Sequence, residues 1–173
     1  EGHQFLEQRG LSEQWSPSSP VIVGDAVVFA AADAEKLLCV GLIDGELRIA
    51  RIALDKGLAA LVVSNTTISR PALRSHHAGE TGGLSGAPLR SLATERLRDF
   101  RKATGGQMPL VGVGGISSAE DAWERIRAGA SLVQLYSAMT YEGPGIARRV
   151  LRGLEALMRR DGFTTIAAAV GSE

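Results

Sequence analysis

The stretch LVVSNTTISRP, Leu61 to Pro71, decides the reading of the fold. It continues a short apolar, β-branched run, Ala59 to Val63, of the kind found where a strand is buried on both faces of a parallel sheet. The run then breaks abruptly into Ser64-Asn65-Thr66-Thr67. In parallel α/β proteins the carboxyl ends of strands are where ligands bind, so a strand ending in hydroxyl and amide groups is a candidate wall of a site. Asn65 offers two N–H donors and an acceptor, and Thr66 adds a hydroxyl. Together they could grip a planar ring bearing carbonyl and N–H groups. The competing reading is a polar turn whose side chains bond their own backbone.

The text around this strand alternates regularly. Before it, Asp44 to Lys56 predicts a helix with Leu47, Ala50 and Leu54 on one face and Gly57 at the stop. After a long polar and glycine-rich connection, Ser64 to Leu89, Ser91 to Ala103 is helical, with Ala93, Leu97 and Phe100 inward. Pro109 to Val113 and Ser131 to Leu135 read as further strands. Between them Ser117 and Glu120 form a capping box opening a helix with Ala119, Ala122, Trp123 and Ile126 inward and Gly129 closing it. Pro144 starts a last helix whose apolar face is Ile146, Val150, Leu154, Leu157 and Met158. Alternation of this kind predicts parallel βα units. An open doubly wound sheet and a (β/α)8 barrel compete, and a complete barrel needs about 250 residues, more than the 173 present. Val21 to Leu42, nearly all small and apolar, is expected to hold one strand and a short buried helix after the turn WSPSSP, Trp15 to Pro20.

Glycine-rich and hydroxyl-bearing segments stand after the other strands as well. Thr81 to Pro88, TGGLSGAP, places three glycines within five residues, which lets backbone amides approach a ligand. Gly112-Val113-Gly114-Gly115-Ile116-Ser117 runs into a helix start, where free N–H groups and the helix dipole favour an anion; a plain tight turn is the alternative. Gln134 to Met139 follows the last strand. If these are the last two strands of a barrel, Gly114-Gly115 and Tyr136-Ser137 would embrace one phosphate. His76 and His77 read as solvated loop residues, because adjacent histidines cannot both face one metal and no third ligand is evident. Arg148, Arg149, Arg152, Arg159 and Arg160 read as the solvated face of the last helix.

Composition sets outer bounds. Nineteen basic and nineteen acidic residues leave a net charge of zero, so no global field attracts nucleic acid. The single cysteine, Cys39, excludes an internal disulfide, predicts a reducing compartment and reads as a small core hydrophobe. No apolar run approaches the roughly 18 residues of a spanning helix, and the first residues lack the pattern of a signal peptide.

Several motifs together carry a resemblance. VSNTTISRP, GGLSGAPL, PLVGVGGISSAEDAWERIRAGASLVQLYSAM and YEGPG are similar, in content and order, to the C-terminal part of class 2, quinone-linked dihydroorotate dehydrogenases. The likeness runs from about Ile43 to the end; residues 1–42 are set apart as a divergent N-terminal segment. The resemblance implies part of an FMN-binding (β/α)8 barrel and the oxidation of dihydroorotate to orotate in pyrimidine biosynthesis, with quinone as electron acceptor. It implies Asn65 and Thr66 as substrate-binding residues, and Ser64, Gly86, Gly115, Tyr136 and Ser137 as FMN contacts, the last three around its phosphate. It implies a cytoplasmic protein with peripheral association to the inner membrane in the full-length family.

The chain also departs from the family pattern. The family's catalytic base is a serine in an earlier barrel loop; Ser18 and Ser19 only faintly echo it, so no catalytic residue is assigned. The family's FMN-binding lysine precedes the Asp44 helix, where Cys39 or Val40 stands here. The expectation is a truncated barrel, weak or inactive as a catalyst alone. The alternative is a non-catalytic half-barrel that binds flavin or phosphate, or that self-associates. Two exposed sheet edges and an apolar inner face would favour a homo-oligomer.

Overall fold

A computed structural model describes residues 21–23, 26–30, 37–40, 46–70, 73 and 75–173, with side chains from Arg48 onward. Among the described residues, six strands form one sheet in chain order: β1 (Val21–Val23), β2 (Ala26–Ala30), β3 (Leu37–Val40), β4 (Ala60–Val63), β5 (Leu110–Val113) and β6 (Leu132–Gln134). The first two pairings are antiparallel and the remaining three are parallel. Helix α1 (Glu46–Asp55) returns the chain from β3 to β4, α2 (Arg90–Thr104) from β4 to β5, and α3 (Ala119–Arg127) from β5 to β6. Four parallel strands with helical returns are the arrangement of part of a (β/α)8 barrel. Beyond β6 come α4 (Ser137–Glu142), α5 (Gly145–Arg160) and α6 (Ile166–Ala169).

The expected elements from Asp44 onward recur with ends moved by a residue or two. Val21 to Leu42 differs. Where one strand and a buried helix were expected, the described residues form three short strands, with Val23 paired to Ala26 and Phe29 to Cys39. The sequence cue for this is Gly24-Asp25 between two apolar runs, a two-residue hairpin signal. The β-branched content of VIV and AVVF also favours strand over helix.

The capping box of α3 lies one residue later than expected. Ser118, in an extended conformation, accepts the Asp121 N–H, and Asp121 accepts the Ser118 N–H, so Ser118 and Asp121 form the box, not Ser117 and Glu120. Asp121 wins because its carboxylate, only 3% exposed, turns under the loop and also takes the N–H and hydroxyl of Ser117, while Glu120 faces solvent.

Two apolar clusters hold these elements. Ala50 and Ala53 of α1 and Leu97 and Phe100 of α2 pack on Leu61 and Val63 of β4 and on Leu110 of β5. Ala122, Trp123 and Ile126 of α3 meet Ile146, Val150, Leu154 and Leu157 of α5. The Trp123 ring meets Phe163 edge-on, and its indole N–H donates to Asp161 at 2.8 Å. The inner layer of β4 and β5 is thereby clamped from one side by helices, and the carboxyl ends of β4, β5 and β6 come to one rim. Beyond β6 the sheet has no neighbour among the described residues, and Leu132 there is 64% exposed.

Candidate functional site

The segments leaving β4, β5 and β6 enclose one cleft of about 350 Å3, within the range of small-ligand sites. Ser64, Asn65 and Thr66 form one wall, Val113 to Ser117 the floor, and Leu135 to Ala138 with Tyr141 the far side. Ser85, Gly86, Ala87 and Leu89 close it from the loop before α2.

Ser64 continues β4 and donates its backbone N–H to Val113 O at 3.4 Å. Its side chain is 2% exposed, and its Oγ has no hydrogen-bond partner among the described residues. A buried hydroxyl without a partner carries a desolvation cost that a bound polar ligand would remove. Asn65 Oδ1 accepts the Thr66 N–H at 2.8 Å, so the self-bonded turn is realised at that oxygen, while the amide NH2 has no acceptor among the described residues.

The loop after β4 is stapled to the glycine-rich loop. Thr67 and Leu84 exchange backbone hydrogen bonds at 3.2 and 2.7 Å. The Arg70 guanidinium bridges Thr67 O and Ile68 O on one loop to Glu80 O and Gly82 O on the other. Gly83 packs against the Thr66 side chain with no room for a Cβ. These contacts fix where Asn65 and Thr66 stand. Farther along, Ser85 Oγ and Ser137 Oγ lie 3.2 Å apart, tying this loop to the start of α4.

At the floor, Gly115 has φ 71°, and a Cβ there would meet the backbone of Arg90 at 2.6 Å. Only glycine allows this approach of the turn to the first residue of α2. The N-terminal amides of Ser117, Ser118 and Asp121 are occupied by the capping box, so the α3 terminus offers a smaller share of free donors than its sequence suggests. Burial pushes the Asp121 carboxyl up, but hydrogen bonds from Ser117 and the charge of Arg90, 2.7 Å away, hold it below the ordinary range. Beneath the turn lies Arg125, 1% exposed, whose guanidinium donates to Val113 O, Gly114 O and Arg90 O.

The structure brings Ser64, Asn65, Thr66, Gly86, Gly115, Tyr136 and Ser137 to this one cleft. Sequence reasoning missed Tyr141, Leu89 and Ala138 in the lining and Arg125 behind it. Tyr141 belongs to a helix too short to show a period. Among the described residues, no Lys, Arg, His, Asp or Glu lines the cleft. His76 and His77 are exposed in the connection, with His77 paired to Glu80. Among the described residues no cluster of three metal-ligating side chains occurs, and no helix is long and apolar enough to cross a membrane.

The family model for dihydroorotate dehydrogenase matches residues 43–158. The chain belongs to the dihydroorotate dehydrogenase family. A dihydroorotate dehydrogenase (quinone) of Novosphingobium aromaticivorans is 72% identical over 125 residues, covering 72% of this chain and 36% of the relative. One from Halobacterium salinarum is 54% identical over 171 residues, 98% of this chain and 43% of the relative, and so takes in residues ahead of Ile43 as well. A crystal structure of ligand-free dihydroorotate dehydrogenase from Eimeria tenella superposes with a TM-score of 0.76 at 42% identity, over 79% of this chain and 39% of that one. The chain thus spans well under half the length of these relatives.

Dihydroorotate dehydrogenases resembling this sequence use FMN, and the residues present fit that group. The unpartnered Ser64 hydroxyl, the positive-φ glycines at 86, 114 and 115 and the hydroxyls of Tyr136 and Ser137 are neutral donors facing one space. The family's lysine has no counterpart in the described part of β3, where Cys39 stands opposite Val62 and Val40 opposite Val63.

Proposed function

We propose that residues 43–173 form the cofactor- and pyrimidine-binding rim of an FMN-dependent dihydroorotate dehydrogenase that uses quinone as electron acceptor. The observation that carries this is the shared cleft at the ends of β4, β5 and β6, with the buried Ser64 hydroxyl unpartnered in its wall. In this reading Ser64 and Gly86 contact the flavin, and Gly115, Tyr136 and Ser137 surround its phosphate. The Asn65 amide and Thr66 hydroxyl bind and orient the pyrimidine ring. Bound FMN supplies the two-electron acceptor for the hydride that leaves dihydroorotate.

Among the described residues, the lining holds no carboxylate, histidine or lysine to take the substrate proton. A positioned base contributes about 10² to 10⁴-fold, so residues 43–173 alone bind better than they catalyse. That same observation favours the second reading, a binding half-barrel. Its β6 edge, unpaired among the described residues and carrying the exposed Leu132, would be covered by a second copy. In the full-length protein the rim would work at the inner membrane, where quinone is found.

The test is spectroscopic. The purified chain should be yellow, and anaerobic dihydroorotate should bleach it if catalysis is intact. A yellow protein that stays yellow supports the binding half-barrel. A protein that takes up no FMN on incubation refutes the cofactor site.

A further inference from the structure

The cleft poses an electrostatic problem. A phosphate needs positive potential, yet among the described residues no cationic side chain lines the space. The potential must come from backbone N–H dipoles and from charge lying behind them.

We infer that Arg125 is a positioning residue for anion recognition: its buried guanidinium holds the Val113–Gly115 turn so that the amide of Gly115 faces the cleft. The inference rests on the FMN reading above and identifies what prepares its phosphate site. Arg125 sits on α3 with its stem over Gly112, where a Cβ would collide with it. Its Nη1 donates to Val113 O at 3.3 Å, and its Nη2 donates to Gly114 O at 2.8 Å and Arg90 O at 3.1 Å. A trans peptide places C=O and N–H on opposite sides of its plane. Drawing the carbonyls of Val113 and Gly114 onto the guanidinium therefore turns the N–H groups of Gly114 and Gly115 away from it. Both residues line the cleft. The Gly114 N–H points along the β5–β6 ladder, where Val113 pairs with Gln134, whereas the Gly115 N–H donates to no protein acceptor among the described residues.

The charge itself fits the same role. A buried cation is costly unless compensated. No carboxylate lies within ion-pair distance of Arg125 among the described residues; its partners are neutral carbonyls. Burial draws its pKa down to about 10, which leaves it protonated at neutral pH. The carboxylates of Glu124 and Asp121 compensate this charge only from a distance, and an anion on the other side of the turn would add to that compensation.

FMN and riboflavin differ only in the phosphate, so their affinities for the chain separate the phosphate site from the ring site. The wild-type chain should bind FMN more tightly than riboflavin in equilibrium dialysis. Arg125→Met should weaken FMN by about 10- to 100-fold, the weight of hydrogen bonds to a charged group, and leave riboflavin within about twofold. Arg125→Lys, which keeps the charge but cannot span three carbonyls, should fall between. Equal losses for both ligands would make Arg125 a lock for the fold alone and overturn the inference, as would an unchanged ratio. Should Arg125→Met fail to fold, Arg125→Lys decides by the same ratio: a fall of about threefold or more supports the role, and no change refutes it. A wild-type chain that binds both ligands equally would instead refute the phosphate reading itself.

Discussion

Replacing Gly115 by alanine tests whether the cleft floor depends on one close approach of backbone to backbone. The new Cβ would lie 2.6 Å from the amide nitrogen of Arg90 and 2.7 Å from its Cα. Neither atom can swing aside as a side chain would; the start of α2 must move. Overpacking of rigid surroundings costs about 1–3 kcal/mol, and an L-residue at φ 71° costs about 1–2 kcal/mol more. The sum is about 2–5 kcal/mol, with a midpoint of about 3.5 kcal/mol. Gly57 supplies the control: its φ is 62°, but nothing lies within 4 Å of its Cβ position, so Gly57→Ala carries the strain alone, about 1 kcal/mol. For a chain of this size each kcal/mol moves the melting temperature by roughly 2–4 °C. Gly115→Ala should therefore melt about 10 °C below wild type and Gly57→Ala about 3 °C below, by circular dichroism at matched concentration. Two variants melting within about 2 °C of each other would show that the turn yields freely and that the approach to Arg90 is not a constraint.

Other perturbations probe the walls and the outer core. Gly83→Ala places a methyl on the Thr66 hydroxyl, whose side chain can rotate away, so stability should change by less than about 1 kcal/mol while orotate affinity drops; unchanged binding in calorimetry would detach Thr66 from the ligand. Arg70→Ala removes the staple between the two loops, and hydrogen exchange of residues 66–70 and 82–84 should accelerate with the rest of the chain unaffected. The Asp161 carboxyl is held at about 2, below its ordinary 3.8, by hydrogen bonds from Arg160 and the Trp123 indole. A depressed folded value gives stabilisation that is complete above pH ~4 and lost as pH falls through about 2, so Asp161→Asn should melt below wild type at pH 7 and converge with it near pH 2. Parallel melting curves across that range would contradict the assignment.

What could be read ahead of the structure follows from signal length. Helices α2 and α5 present several turns of apolar repeat, and their buried residues Ala93, Leu97 and Phe100, then Ile146, Val150, Leu154 and Leu157, are the ones their period selects. The strand ends were legible because Ser64-Asn65-Thr66 and Gly114-Gly115 are chemical breaks in apolar text. Short elements carry no such redundancy. Helix α4 has six residues and buries none of them, and VIV or AVVFA is too brief for a period to tell strand from helix. The shifted capping box shows a different limit: Ser117 and Ser118 both have an acid three residues on, and only the tertiary burial of Asp121 chooses between them.

Arg125 shows the most instructive limit. It falls on the stripe of Ala122, Ile126 and Gly129, where helical spacing asks for an apolar residue, and a charge on that stripe was itself the clue. Local rules break where a site requires something packing alone would not choose. Here Gly112 vacates the space for the stem of Arg125, and Gly114 and Gly115 permit the turn its guanidinium holds. One helix residue and three glycines on a strand and its turn thus form a single device. Periodicity treats them as unrelated, because their dependence runs through space across the return from β5 to α3.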